Sequence, residues 1–167
     1  MNNKIFILSI IVLIAGSCGQ RRKSNNAELQ FLGEWYSVER DYPFSATLKI
    51  DSNHNFIYTG GACILHFRSK GKWRLNGNTL ILNSFEPKKC CFISEFGVNC
   101  SSIILNDSIP FEPSGLKTSI KDCIPSSIDQ YILFNNEKFL IEDSVLTYIQ
   151  KLNALCPEIK DNFTRWQ

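Results

Sequence analysis

Signatures of catalysis and of metal binding are what this sequence has least of. Its two histidines, His54 and His66, form no His-Glu-x-x-His zinc motif, and no glycine-rich phosphate loop or dinucleotide fingerprint occurs. No Gly-x-Ser-x-Gly elbow is there to lift a serine nucleophile. A Cys-x-x-Cys redox pair is also missing, and Cys90, Cys91 and Cys100 lack the spacing usual for zinc. His54 falls in a turn cluster and His66 on a strand, so structural roles are expected for both. Glu142-Asp143 are adjacent carboxylates in a predicted turn, where acidic residues are routine. The expectation is a non-enzymatic protein without cofactor or metal. Net charge is only +2, with both signs spread along the chain. A nucleic-acid partner, which calls for a basic stripe, is not expected.

What is present begins with an export segment. Lys4 precedes an apolar run from Ile5 to Ala15, eleven residues broken only by Ser9. That is too short for a hydrocarbon core needing about 20 residues, but it suits the apolar region of a signal peptide. Ala15-Gly16-Ser17-Cys18 follows and resembles a bacterial lipobox. The resemblance implies removal of residues 1–17 and acylation of Cys18. Seven cysteines are an odd number for an oxidising compartment; lipidation of Cys18 leaves an even six, Cys63, Cys90, Cys91, Cys100, Cys123 and Cys156. Exported proteins retain disulfides, so three are expected. Adjacent Cys90 and Cys91 should reach different partners, with Cys100 within reach of one and the remaining connectivity open. Residues 18–28 read as a polar tether and residues 29–167 as one domain, with 44% apolar and 12% aromatic residues overall. Gly19 resembles the residue that follows the lipidated cysteine in proteins passed on to the outer membrane. This implies a cell-envelope protein held at the membrane by its N-terminal lipid; a monomer is expected.

The best-signalled structure runs from Phe67 to Ser84. Lys72 and Arg74 alternate with Trp73 and Leu75, the period of a strand with one buried face. Leu80 and Leu82 continue that face beyond Asn76-Gly77, and Asn-Gly predicts a type I′ turn there. Strands are also expected at 34–40, 46–50, 56–59 and 62–67, with a break at Asp41-Tyr42-Pro43 and a turn cluster at Asp51–Asn55. Gly60-Gly61 should end or bulge the third strand. Residues 85–99 read as an irregular connection holding at most one short strand. Brief strands are expected at 102–105 and 116–120, and a loop at 122–128. A second hairpin should run from Gln130–Phe134 through Asn135-Asn136 into Lys138–Ile141. Glu142-Asp143-Ser144 then turns into Val145–Gln150, residues 152–158 form a helical turn or loop, and 162–166 closes the chain. Short strands between polar turns predict a mainly β fold. The expected form is a single antiparallel meander of about 8–10 strands, closed into a barrel or strongly curved, with a disulfide-tied irregular insert.

Gly33-Glu34-Trp35 at the head of the first strand resembles the G-x-W start of lipocalin-like proteins. With Gly71-Lys72-Trp73 and Leu80-Ile81-Leu82-Asn83-Ser84, the chain is similar to small lipocalin-like lipoproteins of Gram-negative bacteria. The resemblance implies a lipocalin-like barrel plugged at one end by Trp35, with Arg165 as its late-chain partner. The Thr-Asp-Tyr element of that family is absent. Small barrels either fill their interior with side chains or hold one small ligand. Inward positions are expected at Leu48, Ile50, Phe56, Tyr58, Trp73, Leu75, Leu80, Leu82, Leu133, Ile141, Leu146 and Tyr148. Of these, Leu48, Phe56, Tyr58, Leu82, Leu133 and Tyr148 are the candidate ligand-binding residues. Two functions follow as alternatives: a small hydrophobic ligand held in the barrel, or an envelope structural or protein-interaction module that uses the cysteine-rich loops.

Overall fold

Alternation of apolar and polar residues decides the architecture, because each strand then has one face that must leave water. The computed structural model describes residues 26–38, 44–62, 64–97, 117–151 and 162–165. A short helix α1 (Asn26–Leu29) leads into β1 (Gly33–Ser37), β2 (Phe44–Ile50), β3 (Asn55–Ala62), β4 (Leu65–Asn76) and β5 (Thr79–Ser84). An insert then carries β6 (Phe92–Glu95), β7 (Lys117–Thr118) and β8 (Gln130–Leu133). The chain finishes with β9 (Asn135–Glu142), β10 (Val145–Ile149) and β11 (Phe163–Thr164). Strands β3-β2-β1-β11-β10-β9-β5-β4 are hydrogen-bonded in that order, and β4 pairs back onto β3. The result is a closed eight-stranded antiparallel barrel. Two residues of β11 complete the ring: Phe163 and Thr164 pair with Ser37 and Tyr36 of β1, and Phe163 pairs with Leu146 of β10.

At the lower end of the barrel lie α1 and the turns Asp51–Asn55, Gly77-Asn78 and Asp143-Ser144. The opposite, upper end takes the β3–β4 link and the insert. The lower turns are short and chemically explicit. Asp51 Oδ1 accepts hydrogen bonds from the backbone N–H of Asn53 at 2.9 Å and of Asn55 at 2.8 Å, an Asx-type turn. Asp143 and Ser144 have φ of 49° and 66°, the type I′ pattern. The β4–β5 turn departs from expectation by one residue. Asn76 pairs with Thr79, so Gly77-Asn78 is the loop, and only Gly77 has positive φ, at 61°. That is a type II′ turn with glycine where it is required.

Two further expectations are corrected. Gly60-Gly61 does not end β3, which runs on to Ala62. Gly60 lies opposite Phe67, and a Cβ there would come within 2.4 Å of the Phe67 ring, so the glycine makes room for an inward aromatic. The second hairpin does not form either. β8 pairs in parallel with β4 and β6, and β6 pairs antiparallel with β7, so the insert adds a small mixed sheet to the upper half of β4. Asn135-Asn136 is a kink rather than a reversal. Ser84 N–H donates to Phe134 O at 2.8 Å, and Asn83 Oδ1 accepts from Asn136 N–H at 2.9 Å, which keeps the chain running along β5 as β9. Where β4 leaves β8 for β5, the Tyr131 hydroxyl fills the fork. It accepts from Lys70 N–H at 3.3 Å and lies 2.9 Å from the carbonyl oxygens of Lys70 and Phe85. The break at 41–43, the strand at 102–105 and the segment 152–158 lie outside the described residues, as do the export segment and Cys18.

Candidate functional site

The interior is lined as alternation predicts, with Leu48, Ile50, Phe56, Tyr58, Trp73, Leu80, Leu82, Leu146 and Tyr148 all in the buried core. Leu75 and Ile141 are partly buried against it. Leu133 is corrected: it stands outside that core, while its neighbours Ile132 and Phe134 belong to it. The physical reason is alternation: Ile132 and Phe134 share the face turned to the core, which leaves Leu133 on the opposite one.

The middle and upper parts of the barrel are occupied by the protein's own rings. Tyr58 from β3 meets Phe67, Phe96, Phe134 and Phe163 at centroid distances of 5.5, 5.8, 5.2 and 6.3 Å. Phe96 stacks on Phe134 at 4.4 Å and reaches Phe139 at 5.6 Å and Tyr148 at 5.1 Å. Because β3 and β10 are far apart around the ring, Phe96 spans the interior from wall to wall. It comes from the turn after β6, and its N–H is fixed to Leu133 O at 2.9 Å. Neither Phe96 nor Phe134 was placed inside by strand periodicity; an aromatic before Gly97 in an irregular stretch was the only signal. Of the six candidate ligand residues, the structure brings Phe56, Tyr58 and Tyr148 into this ring cluster, with Leu48 and Leu82 in the same core.

Among the described residues, one carboxylate is buried against the same interior. Glu137 is 1% exposed and takes hydrogen bonds from the Tyr148 hydroxyl at 2.6 Å and from Lys151 Nζ at 2.5 Å. The Lys151 side chain is about half exposed, so the pair bridges interior and solvent. Burying a carboxylate is costly unless it is paired and hydrogen-bonded, and here it is both.

At the lower end, Phe31 and Trp35 are fully enclosed. The Trp35 indole N–H donates to Phe31 O at 2.8 Å, and the Arg165 guanidinium lies 4.4 Å from the centre of its ring. Arg165 also donates to Leu32 O at 3.0 Å and to Gln30 O. One arginine thus covers the tryptophan face and ties the entering chain to it. Beside this, Trp73 donates from its indole to Asp51 O at 2.9 Å and stacks with His54 at 4.5 Å. His54 is engaged with that ring and lies 3.7 Å from Glu28, while His66 is exposed on the outer wall. Outside the barrel, the hydrogen bond from Lys49 to Glu34, with a second from Tyr36, holds the Glu34 carboxyl below the ordinary range.

The insert is stapled by Cys90–Cys123, which closes a span of 33 residues. Cys91 is a free, half-buried thiol, against the expectation that it would be bridged. Its backbone is committed instead to Ser119, donating to Ser119 Oγ at 3.1 Å and accepting from Ser119 N–H at 2.9 Å. Cys63, Cys100 and Cys156 lie outside the described residues. The loop beside the bridge exposes Ile120, Ile124 and Ile128 at 47%, 91% and 44%. Against this geometry, no known protein family, no curated protein and no solved structure matches the chain.

Proposed function

We propose that this is an exported, lipid-anchored envelope protein that acts without catalysis, as a protein-interaction module whose barrel is the frame and whose stapled insert is the contact. The observation that carries this reading is the division of apolar groups. The barrel's inward rings pack on one another, and Phe96 crosses between its walls, while three isoleucines of the insert face water beside the Cys90–Cys123 bridge. Apolar side chains held in water by a covalent staple are what a partner's surface would cover. Acylation at Cys18 would deliver the module to the outer membrane, with the chain between Cys18 and α1 as its leash. The test is site-specific cross-linking in cells at residue 124, with and without Ile120→Asp and Ile128→Asp. A discrete adduct lost in the doubly substituted protein supports the reading. No adduct in an envelope fraction that retains the protein sinks it. Cys18→Ser should release the protein from the membrane fraction; persistence there would remove the lipid anchor from the proposal.

A second reading is favoured by Phe96 itself. It enters the interior from outside the barrel strands, so a small hydrophobic ligand would find its space there if Phe96 withdrew. Phe96→Ala protein should then take up a fluorescent fatty-acid probe that wild-type protein refuses. Refusal by both proteins counts against it.

A further inference from the structure

The outward positions of β4 are filled with basic residues. His66, Arg68, Lys70, Lys72 and Arg74 are all exposed, while Phe67, Ser69, Gly71 and Trp73 between them are all buried. Same-face residues on a strand stand about 6.8 Å apart, so Arg68 to Arg74 make a line of four positive charges about 20 Å long. Lys138 widens it: Arg74 pairs with Ile81 and Ile81 with Lys138, two strands or about 10 Å away. The neighbours across the ladder are Asn55, Ile57 and Thr59 on β3, Ile81 and Asn83 on β5, and Tyr131 on β8. None is acidic. The ion pairs found among the described residues join Lys49 to Glu34, His54 to Glu28 and Lys151 to Glu137, so none of them involves this line. Asp51 is close enough to feel Lys72 at the lower end of the row. A chain with net charge +2 overall has thus gathered like charges along one strand at a cost in self-repulsion. Barrel closure does not need them, since outward positions on β3 are served by Thr59 and Asn55.

One exposed aromatic stands in the row. Phe85 N–H donates to Lys70 O at 2.9 Å, which puts Phe85 beside Lys70, and the residue is 44% exposed. We propose that this wall is a docking site for a linear acidic polysaccharide, whose carboxylates meet the β4 cations and one of whose sugar rings lies on Phe85. A single ring among four cations suits a polyuronate, in which every sugar carries a carboxylate and the apolar face of one pyranose can rest on the ring. A nucleic-acid strand would want successive aromatic platforms for its bases. A membrane would meet a convex wall only along a narrow strip. This wall borders the insert at Arg68, which pairs with Tyr131 of β8, but it uses none of the three exposed isoleucines and stands or falls independently of the interaction reading above.

The experiment is calorimetric titration of the folded protein with polygalacturonate oligosaccharides at several salt concentrations. Affinity should fall as salt rises. Lys70→Gln with Lys72→Gln should weaken binding about tenfold or more and flatten the salt dependence. Lys117→Gln with Lys121→Gln, an equal charge loss on the insert, should change neither. Phe85→Ser should weaken binding without altering the salt dependence. Arg68→Gln with Arg74→Gln repeats the first test if the lysine pair melts below wild type. The proposal is overturned if wild-type protein binds no polyuronate at low salt, or if the insert pair loses as much affinity as the β4 pair. It is overturned equally if an oligothymidylate of matched charge, or phosphatidylglycerol vesicles, binds more tightly than the polyuronate.

Discussion

At the lower end of the barrel, the closing residues sit beside strand termini: Phe31 and Trp35 around the start of β1, Arg165 directly after β11, and Trp73 under the Asp51–Asn55 turn. At the upper end, the closing rings Phe96 and Phe134 come from the insert and from the β8–β9 junction, and a disulfide organises the segment that delivers one of them. The first arrangement makes closure inseparable from strand pairing, because removing a closing residue loosens the ring itself. The second adds closure to a ring that is already complete. The lower end should therefore fail globally and the upper end locally. Trp35→Ala is the most severe test. A buried tryptophan truncated to alanine costs about 3–5 kcal/mol, and the loss here also leaves Phe31 O without its indole donor and takes the ring from beneath the Arg165 guanidinium. A fall of that size in urea-derived stability, with an unchanged slope, is expected. A cost below about 1 kcal/mol would mean that Trp35 is not the keystone of its end.

The staple gives the next largest effect. Closing a span of 33 residues restricts the unfolded chain by roughly 3–4 kcal/mol on loop-entropy grounds. In Cys90→Ser, Cys123→Ser protein, part of that loss should appear as local opening of the insert rather than as global unfolding. Amide exchange separates the two. The Phe96 N–H, bonded to Leu133 O, should exchange faster, while the Trp35 indole N–H, bonded to Phe31 O, should stay protected. Equal acceleration at both would erase the difference between the ends.

The same division explains what could be read from the chain alone. The lower end was legible because its signals are local: a G-x-W triplet, an Asp-Ser-Asn-His-Asn turn, alternation through Trp73 and Leu75. Arg165 could be paired with Trp35 through a resemblance, not through spacing. The upper end was illegible because nothing within a few residues of Phe96 says that its ring will reach Tyr58, Phe139 and Tyr148. Glu137 and Lys151 were missed for the same reason. Each is unremarkable in its own strand context, and only the barrel's closure puts the carboxylate inside. Parallel pairing of β8 defeated the hairpin expected at Asn135-Asn136, since hydrophobic runs look alike whichever neighbour they pair with. The β4 cations were visible as strand alternation, but averaging them into a net charge hid that one strand gathers them onto one face.

Phe96→Ala ranks third. A core phenylalanine normally costs about 3–5 kcal/mol on truncation, but a ring added from outside the barrel leaves the eight strands paired. A loss near 2 kcal/mol is expected in urea unfolding, clearly below that of Trp35→Ala. If the two substitutions proved equally damaging, Phe96 would belong to the barrel as fully as Trp35 does.

The smallest effect tests the lower end through its turn chemistry. Burial pushes the Asp51 carboxyl upward, but hydrogen bonds from the Asn55 backbone and side chain and from the Asn53 backbone outweigh it, with Lys72 nearby, and its pKa lies below the ordinary value. A depressed folded-state pKa means that the unfolded chain binds the proton more readily. The turn's contribution is therefore complete above the ordinary aspartate range and is lost as pH falls through the lowered folded value. Asp51→Ala removes those hydrogen bonds at every pH and should cost about 1 kcal/mol near neutrality. The gap between variant and wild type should narrow as the solution is acidified, because the wild-type carboxylate is then neutralised too. Thermal melts at neutral and strongly acidic pH give the comparison directly. A gap that stayed constant down to the acid limit would show that the turn is held by its backbone rather than by the Asp51 charge, and would remove the pH-sensitive clasp assigned to this turn.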